Sequence, residues 1–542
     1  MNKGKIFKLS LALSLALSHA SLMNAAEPAQ QVKDSEAATF TNPVLWADLP
    51  DPDVIRVGDY FYMMSTTMHL MPGAPVMRSK DLINWELTGY VFDKLHETPK
   101  YDMEDGTVYG RGQWATSLRY YNGKFYVLFS PNDQPFRSFI YTTEDPMKGW
   151  TLHSRMKHFH DSSLFFDDDG RVYVFSGTGE LTELNPDLSG VKEGGVSMKL
   201  NVRDAEETGL LEGSRVLKHD GKYYLLMISW PNGEKRRQVC YRADKITGPY
   251  EKKVILCSDY GGFPYVGQGT IVDDAQGNWY GWIFQDRGAV GRVPTLSPCH
   301  WVDGWPMIGD AEGRVPTTMT LPWKADKKIP LVVSDEFSKG KMKLNWQWNH
   351  NPIDDAYTLT ERKGFLRLKT NKVVKSIYEA RNTLTQRMEG PECSGVIAMD
   401  VSHMQDGDRA GLSAFNGHSG ILEVAREGDA LTLSMKAEEV SLDNKDKRVT
   451  DVKSEVRGAV DLGDTKTVYL RVDGNFRRGK DIATFYYSQD GKDWKQLGTD
   501  FKMRFDFRRF FMGTKFGIFN YATKAAGGYV DVDYFRYSKK DA

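Results

Sequence analysis

Five times in the first three hundred residues the chain repeats one short pattern: a Gly, a variable residue, an aromatic or aliphatic residue, then Tyr. The copies are Gly58-Asp59-Tyr60-Phe61-Tyr62 (one aromatic longer), Gly123-Lys124-Phe125-Tyr126, Gly170-Arg171-Val172-Tyr173, Gly221-Lys222-Tyr223-Tyr224 and Gly277-Asn278-Trp279-Tyr280. Each predicts a hairpin turn feeding an alternating, aromatic-rich strand. Successive copies lie roughly 45–65 residues apart, the period of a propeller blade of four short strands. Five copies predict five blades around a central channel. Such a fold brings side chains from several blades into one axial pocket, so function turns on which polar residues point there.

At 542 residues the chain exceeds one compact core, and two domains are expected. Lys+Arg total 71 and Asp+Glu 72, a balance that argues against nucleic-acid binding or attachment to an anionic membrane surface. The 13 Trp fall largely near Gly or Asp in predicted loops. There they either stack on sugar rings or fill a β-rich core. The four cysteines, Cys240, Cys257, Cys299 and Cys393, have no metal-type spacing. Cys240 and Cys257 are placed to pair within one blade or to remain free buried thiols.

Lys3, Lys5 and Lys8 precede an apolar run, Leu9 to Leu17, and small residues follow around Ala20 and Ala25-Ala26. This is the layout of a secretory signal, too short for a comfortable membrane span. Residues 1–26 are read as signal peptide and 27–39 as a polar leader, with no membrane anchor evident. Export is expected, to the periplasm first and the extracellular space second.

The propeller pattern occupies residues 40–328. From Asp335-Glu336-Phe337 onward the strands lengthen and alternate cleanly, as in Gly395 to Val401, Thr467 to Val472 and Tyr529 to Tyr537. Residues 329–542 are therefore expected to form a β-sandwich of jelly-roll type, making an all-β protein of propeller followed by sandwich.

Three carboxylates stand in unusual settings, each near the start of a different predicted blade. Asp51 lies between Pro50 and Pro52, which deny it a regular strand and fix its backbone; it suits a positioned base as well as an ordinary turn. Asp161, in His160-Asp161-Ser162-Ser163, sits at the axial end of its strand, away from the solvated turn Asp167 to Asp169. Glu212 is flanked by Leu210-Leu211 and Gly213, a setting expected to desolvate it and push its pKa toward that of a general acid. Glu206 and Glu207 are nearby rivals in a charged loop. One ionised carboxylate to activate water and one protonated carboxyl to serve the leaving oxygen are the ingredients of glycoside hydrolysis. A third beside the acid raises its pKa by like-charge repulsion.

These segments resemble glycoside hydrolase family 43, five-bladed propellers that invert anomeric configuration and cleave mostly arabinofuranosides and β-xylosides. Asn42-Pro43-Val44 with Pro50-Asp51-Pro52 is similar to the family opening, which makes Asp51 the general base. His160-Asp161-Ser162-Ser163-Leu164-Phe165 matches the segment whose Asp modulates and orients the acid, here Asp161. Leu211-Glu212-Gly213 matches the general-acid segment. Gly112-Gln113-Trp114-Ala115 resembles a motif whose Trp lines the sugar pocket, with Thr116 in place of a Pro. Phe284 to Pro294 and Asp303-Gly304-Trp305-Pro306 resemble the fifth blade of the β-xylosidase-like branch, in which Arg292 would reach a substrate hydroxyl. The C-terminal region resembles the concanavalin-A-like domain of that branch, which often supplies a loop to the pocket wall. The alternative for this domain is a tethered sugar-binding module, with Trp346, Trp348 or Tyr521 as platforms. Many relatives carry a fifth-blade His that holds an axial ion, often calcium. Here the stretch reads Val266-Gly267-Gln268-Gly269-Thr270, so no cofactor is expected to be required and structural calcium stays open.

The resemblance implies an exo-acting, inverting hydrolase of hemicellulose-derived oligosaccharides or polysaccharide side chains. Terminal α-L-arabinofuranosyl groups are the first expectation and β-1,4-linked xylosyl groups the second. A non-catalytic carbohydrate-binding propeller is the alternative of another class, and endo-action on arabinan a further one. The loop Ser65 to Gly73 is expected either to shape the first sugar subsite or to pack on the second domain. An inverting pair would hold the carboxyls of Asp51 and Glu212 roughly 6.5–9.5 Å apart.

Overall fold

The computed structural model describes residues 37–264 and 267–540. The signal peptide and most of the leader lie outside these residues. Among the described residues there is no α-helix, only strands and four short 3-10 turns.

Five antiparallel four-stranded sheets follow one another in chain order. Their innermost strands are Asp53–Val57, Gln113–Tyr121, Ser163–Phe166, Leu210–His219 and Gly269–Asp273. The repeated Gly motif falls in the turn between the first and second strand of every blade. Its glycines Gly58, Gly123, Gly170, Gly221 and Gly277 all adopt φ between +59 and +84°, the left-handed conformation that a tight hairpin turn requires and that L side chains resist. The Tyr and Phe of each motif then alternate into the blade cores, as Tyr173, Tyr224 and Tyr280 do.

The ring closes where Ala38–Thr41 pairs antiparallel with Thr318–Leu321. Asn42 reinforces the seam: its amide donates to Leu296 O at 2.8 Å and Pro316 O at 2.9 Å. Around the axis the inner strands are stitched blade to blade. The Asp53 carboxylate accepts from Leu118 N and Arg119 Nη1, both at 2.8 Å. Ser163 Oγ accepts from Arg119 Nη2 at 2.6 Å and from Val216 N at 3.1 Å. Arg215, 1% exposed, lies 3.5 Å from Asp53. These side chains close the channel at this level, as interior positions of small closed β-structures usually do.

The C-terminal region forms two packed sheets. The core between them includes Ile397, Leu412, Leu433, Leu470, Phe485, Phe516 and Phe535, all essentially without solvent contact. This core does not stop at the domain boundary: Ala289, Val290 and Val293 of blade 5 belong to it. One sandwich sheet also continues into the propeller, because Leu70–Met71 pairs with Gln347–Asn349 as its last strand. The loop Ser65 to Gly73 therefore packs on the second domain. Trp346, Trp348 and Tyr521 are 2%, 5% and 6% exposed. They are core residues, which removes them as sugar platforms. Cys240 and Cys257 are both free, the first buried and the second exposed.

Candidate active site

Blades 1 to 4 each deliver a site residue through a local departure from regular strand. Asp51 and Asp161 sit just before their inner strands with φ of +52° and +44°. Asp is among the few non-Gly residues that tolerate this region. Trp114 and Glu212 sit instead in β-bulges, where register slips between Gln113 and Thr116 and between Glu212 and Arg215. A bulge re-aims a side chain while leaving the ladder on either side intact. At Glu212 the bulge depends on Gly213, at φ +78°, where a Cβ would come 2.8 Å from Gln268 Cδ.

The five side chains read from the sequence converge. Asp51 is 5% exposed. Its carboxylate accepts from Thr66 Oγ1 at 2.6 Å and from Arg292 Nη1 at 3.1 and 3.3 Å. Arg215 Nη2 donates to the Asp51 carbonyl at 3.0 Å, so the strand bearing Glu212 also grips the segment bearing Asp51. Across the pocket His160 Nε2 lies 3.4 Å from Glu212 and 3.8 Å from Asp161. The ligand atoms of His160, Asp161 and Glu212 fall within 4.8 Å of one another. Trp114 lies against His160 with ring centroids 5.6 Å apart, its Nε1 donating to Gly110 O at 3.0 Å.

Burial drives the Asp161 carboxyl up to about 7; Glu212 and Asp51 add like charge, against the pull of His160 and Arg215. Burial alone would lower His160. The bond to Glu212 and the charges of Asp161, Glu212 and Asp51 outweigh it and raise His160 to about 9. The expected desolvation of Glu212 is only partial, its side chain being 31% exposed, and the buried acid of the pair is Asp161. Such an arrangement keeps protons close to one oxygen of the pocket while a second carboxylate, held by Thr66 and Arg292, faces it from blade 1.

Several residues of the site carried no role in the sequence reading. Phe511, from the sandwich loop after Phe501–Lys502, is one wall of the pocket. Its ring lies 5.8 Å from Trp114 and beneath the Arg292 guanidinium at 4.3 Å, and its carbonyl accepts from Arg292 Nη2 at 3.2 Å. Asp48 holds that loop in place, accepting from Arg292 N at 2.9 Å and Gly513 N at 2.8 Å. Thr66, which donates to Asp51, lies within the Ser65 to Gly73 loop. The crowding of Phe505, Phe507, Phe510 and Phe511 with Arg504, Arg508 and Arg509 in one short stretch is the signal that marks the sandwich loop.

An axial divalent ion does not fit the residues present. Arg119 and Arg215 both lie within 4 Å of Asp53, the axial carboxylate. Gln268 contributes an uncharged amide whose Nε2 is buried without a protein partner. Two guanidinium groups against one carboxylate repel a further cation. No helix among the described residues is long and apolar enough to cross a membrane.

Residues 40–306 match the family described as glycosyl hydrolases family 43, and residues 334–538 match the β-xylosidase C-terminal concanavalin A-like domain. The chain is 30% identical to a putative β-xylosidase of Xylanibacter ruminicola, over 87% of this chain and 84% of that one. It is 27% identical to a non-reducing end α-L-arabinofuranosidase of Bacteroides ovatus, over 73% of this chain and 78% of the relative. Among solved structures, a bifunctional protein of Bacteroides eggerthii pairing this family with a second activity, abbreviated CE, superposes with a TM-score of 0.85 at 41% identity. The match covers 93% of this chain and 64% of that longer one.

Proposed function

Because the chain belongs to glycosyl hydrolases family 43, we propose that it is an exo-acting, inverting pentosidase with Asp51 as general base and Glu212 as general acid. Asp51 takes a proton from water beneath the anomeric carbon, and Glu212 donates one to the departing oxygen. Asp161 orients Glu212 through His160 and keeps a proton in its vicinity. The observation that carries the reading is the split of the carboxylates. Asp161 and Glu212 share His160 on one side, while Asp51 is held apart by Thr66 and Arg292. Paired acids with different environments are what an acid–base division of labour needs. Trp114 and Phe511 supply apolar walls for one sugar ring, and Arg292 has a guanidinium to offer a hydroxyl once substrate enters.

Terminal α-L-arabinofuranosyl and β-D-xylosyl groups are the two substrates to separate, on hemicellulose-derived oligosaccharides or side chains. The two relatives named above divide between them. Export to the periplasm, without a required metal, completes the proposal. Purified protein is assayed on nitrophenyl α-L-arabinofuranoside and nitrophenyl β-D-xyloside, with Asp51→Ala as control and NMR of the first-formed anomer. Turnover of either, lost in the variant, with inverted product is the expected result. Retained configuration, or activity that survives in Asp51→Ala, overturns it; silence on both with sugar binding intact favours a binding protein.

A further inference from the structure

We propose that Trp230 and Arg236, on one loop of blade 4, form a subsite for the sugar on the leaving-group side of the cleaved bond, so that the substrate is an oligosaccharide rather than a small glycoside. This rests on the reading of Glu212 as the acid. The loop joins Lys222–Trp230 to Arg237–Ala243 and opens at the end of the blade where Glu212 lies. Leu210 pairs with Trp230 and Glu212 with Ile228. Trp230 therefore follows Glu212's partner by two residues on the same sheet face, roughly 7 Å along the strand. That is the reach of the next ring beyond the oxygen Glu212 would protonate.

Among the described residues Trp230 is the only Trp among the exposed large apolar side chains, at 44%, yet it is held on two sides. Its Nε1 donates to Glu234 O at 3.0 Å, and the Arg236 guanidinium covers one face of the ring at 3.9 Å. The loop itself is pinned, since Asn232 donates to Thr208 through its backbone N and its Nδ2, both at 3.0 Å. An indole fixed in advance with one face open loses little further freedom when a flat apolar surface meets it. The less polar face of a pyranose is such a surface. Arg236 adds a polar edge: its Nη1 lies 3.4 Å from Asp286, and its side chain keeps 26% exposure, which leaves the outer N–H groups of the guanidinium within reach of a sugar hydroxyl.

The test compares wild type, Trp230→Ala and Trp230→Phe, each checked for an unchanged melting temperature. Substrates are methyl β-D-xyloside with xylotriose, and methyl α-L-arabinofuranoside with arabinofuranosyl-xylotriose. Methanol is too small a leaving group to reach Trp230. The alanine variant is expected to lose about tenfold in kcat/KM on the oligosaccharides, mainly through KM, and less than twofold on the methyl glycosides. Phenylalanine should restore most of the loss. Equal effects on both classes, or none on either, overturn the proposal. If wild type turns over none of the four, the proposed reaction fails, and calorimetric titration of xylotriose into Glu212→Gln with and without Trp230→Ala still decides. Unchanged affinity there refutes the subsite; weakened affinity for xylotriose but not xylose supports it.

Discussion

Replacing Asp161 with Asn should make the protein more stable and far less active, and the gain in stability should grow with pH. In the unfolded chain an Asp titrates near 3.9; in the fold, Asp161 titrates at about 7. Between these values the folded state binds the extra proton, so stability falls as pH rises through the window. Each pH unit of mismatch is worth about 1.4 kcal/mol. The ionisable group therefore costs the fold about 1–2 kcal/mol at pH 5 and about 4 kcal/mol at pH 8. His160 acts in the same sense: its raised pKa contributes stability that is present below its ordinary value and is lost as pH climbs toward about 9. Asn keeps the shape and tolerates the left-handed backbone at φ +44°, so the substitution removes the charge and, with it, one of the groups that raise His160. Urea denaturation of both proteins at pH 5 and pH 8 should show the advantage of the variant growing by about 3 kcal/mol. Activity on a nitrophenyl pentoside should fall about 10²-fold or more. An advantage that is the same at both pH values, or a variant less stable at pH 8, would refute the reasoning.

Phe511→Ala, a change in the sandwich domain, should raise KM on small pentosides about tenfold while the melting temperature barely moves; an unchanged KM would remove Phe511 from the pocket wall. Gly213→Ala should cost about 1–3 kcal/mol in stability, since φ +78° must be kept by a residue with a Cβ, and should lower kcat more than tenfold by displacing Glu212. Stability and kcat at wild-type levels would show that the bulge is not needed. A chain ending before Val333 should be recovered insoluble or inactive, because it loses the partner strand of Leu70–Met71 and uncovers Ala289, Val290 and Val293. Prolonged EDTA treatment followed by gel filtration should leave kcat within twofold; a loss restored by calcium would place an ion where Arg119 and Arg215 argue against one.

The propeller was legible because its turns demand a residue type. Five Gly at left-handed φ, each followed by alternating aromatics, leave a periodic trace that survives divergence elsewhere. Asp51, Asp161 and Glu212 stand out for a related reason: prolines, small residues and a bulge glycine mark where the strand is broken to aim a side chain, whereas Trp114 and Arg292 were singled out by the family resemblance alone. Phe511 was not, since its place depends on a contact across more than two hundred residues, fixed by Asp48 bonding to Gly513. No local pattern encodes that. The loop after Met64 divided between two readings for the same reason. Its Leu70 and Met71 look like any apolar pair until the edge of the sandwich sheet lies beside them, while Thr66, four residues earlier, turns back to Asp51.

The side chains that stopper the propeller axis also govern the order of events at the pocket. Asp53, Arg119 and Arg215 close the channel beneath the site, which leaves one mouth for everything that enters or departs. In the proposed exo-acting reaction, a pentose released at the bottom must wait for the remainder of the substrate to clear the opening above it. Product release is then ordered, with the shortened chain first and the monosaccharide last. The free pentose should act as a competitive inhibitor, and turnover at high conversion should slow as it accumulates, whatever the speed of bond cleavage.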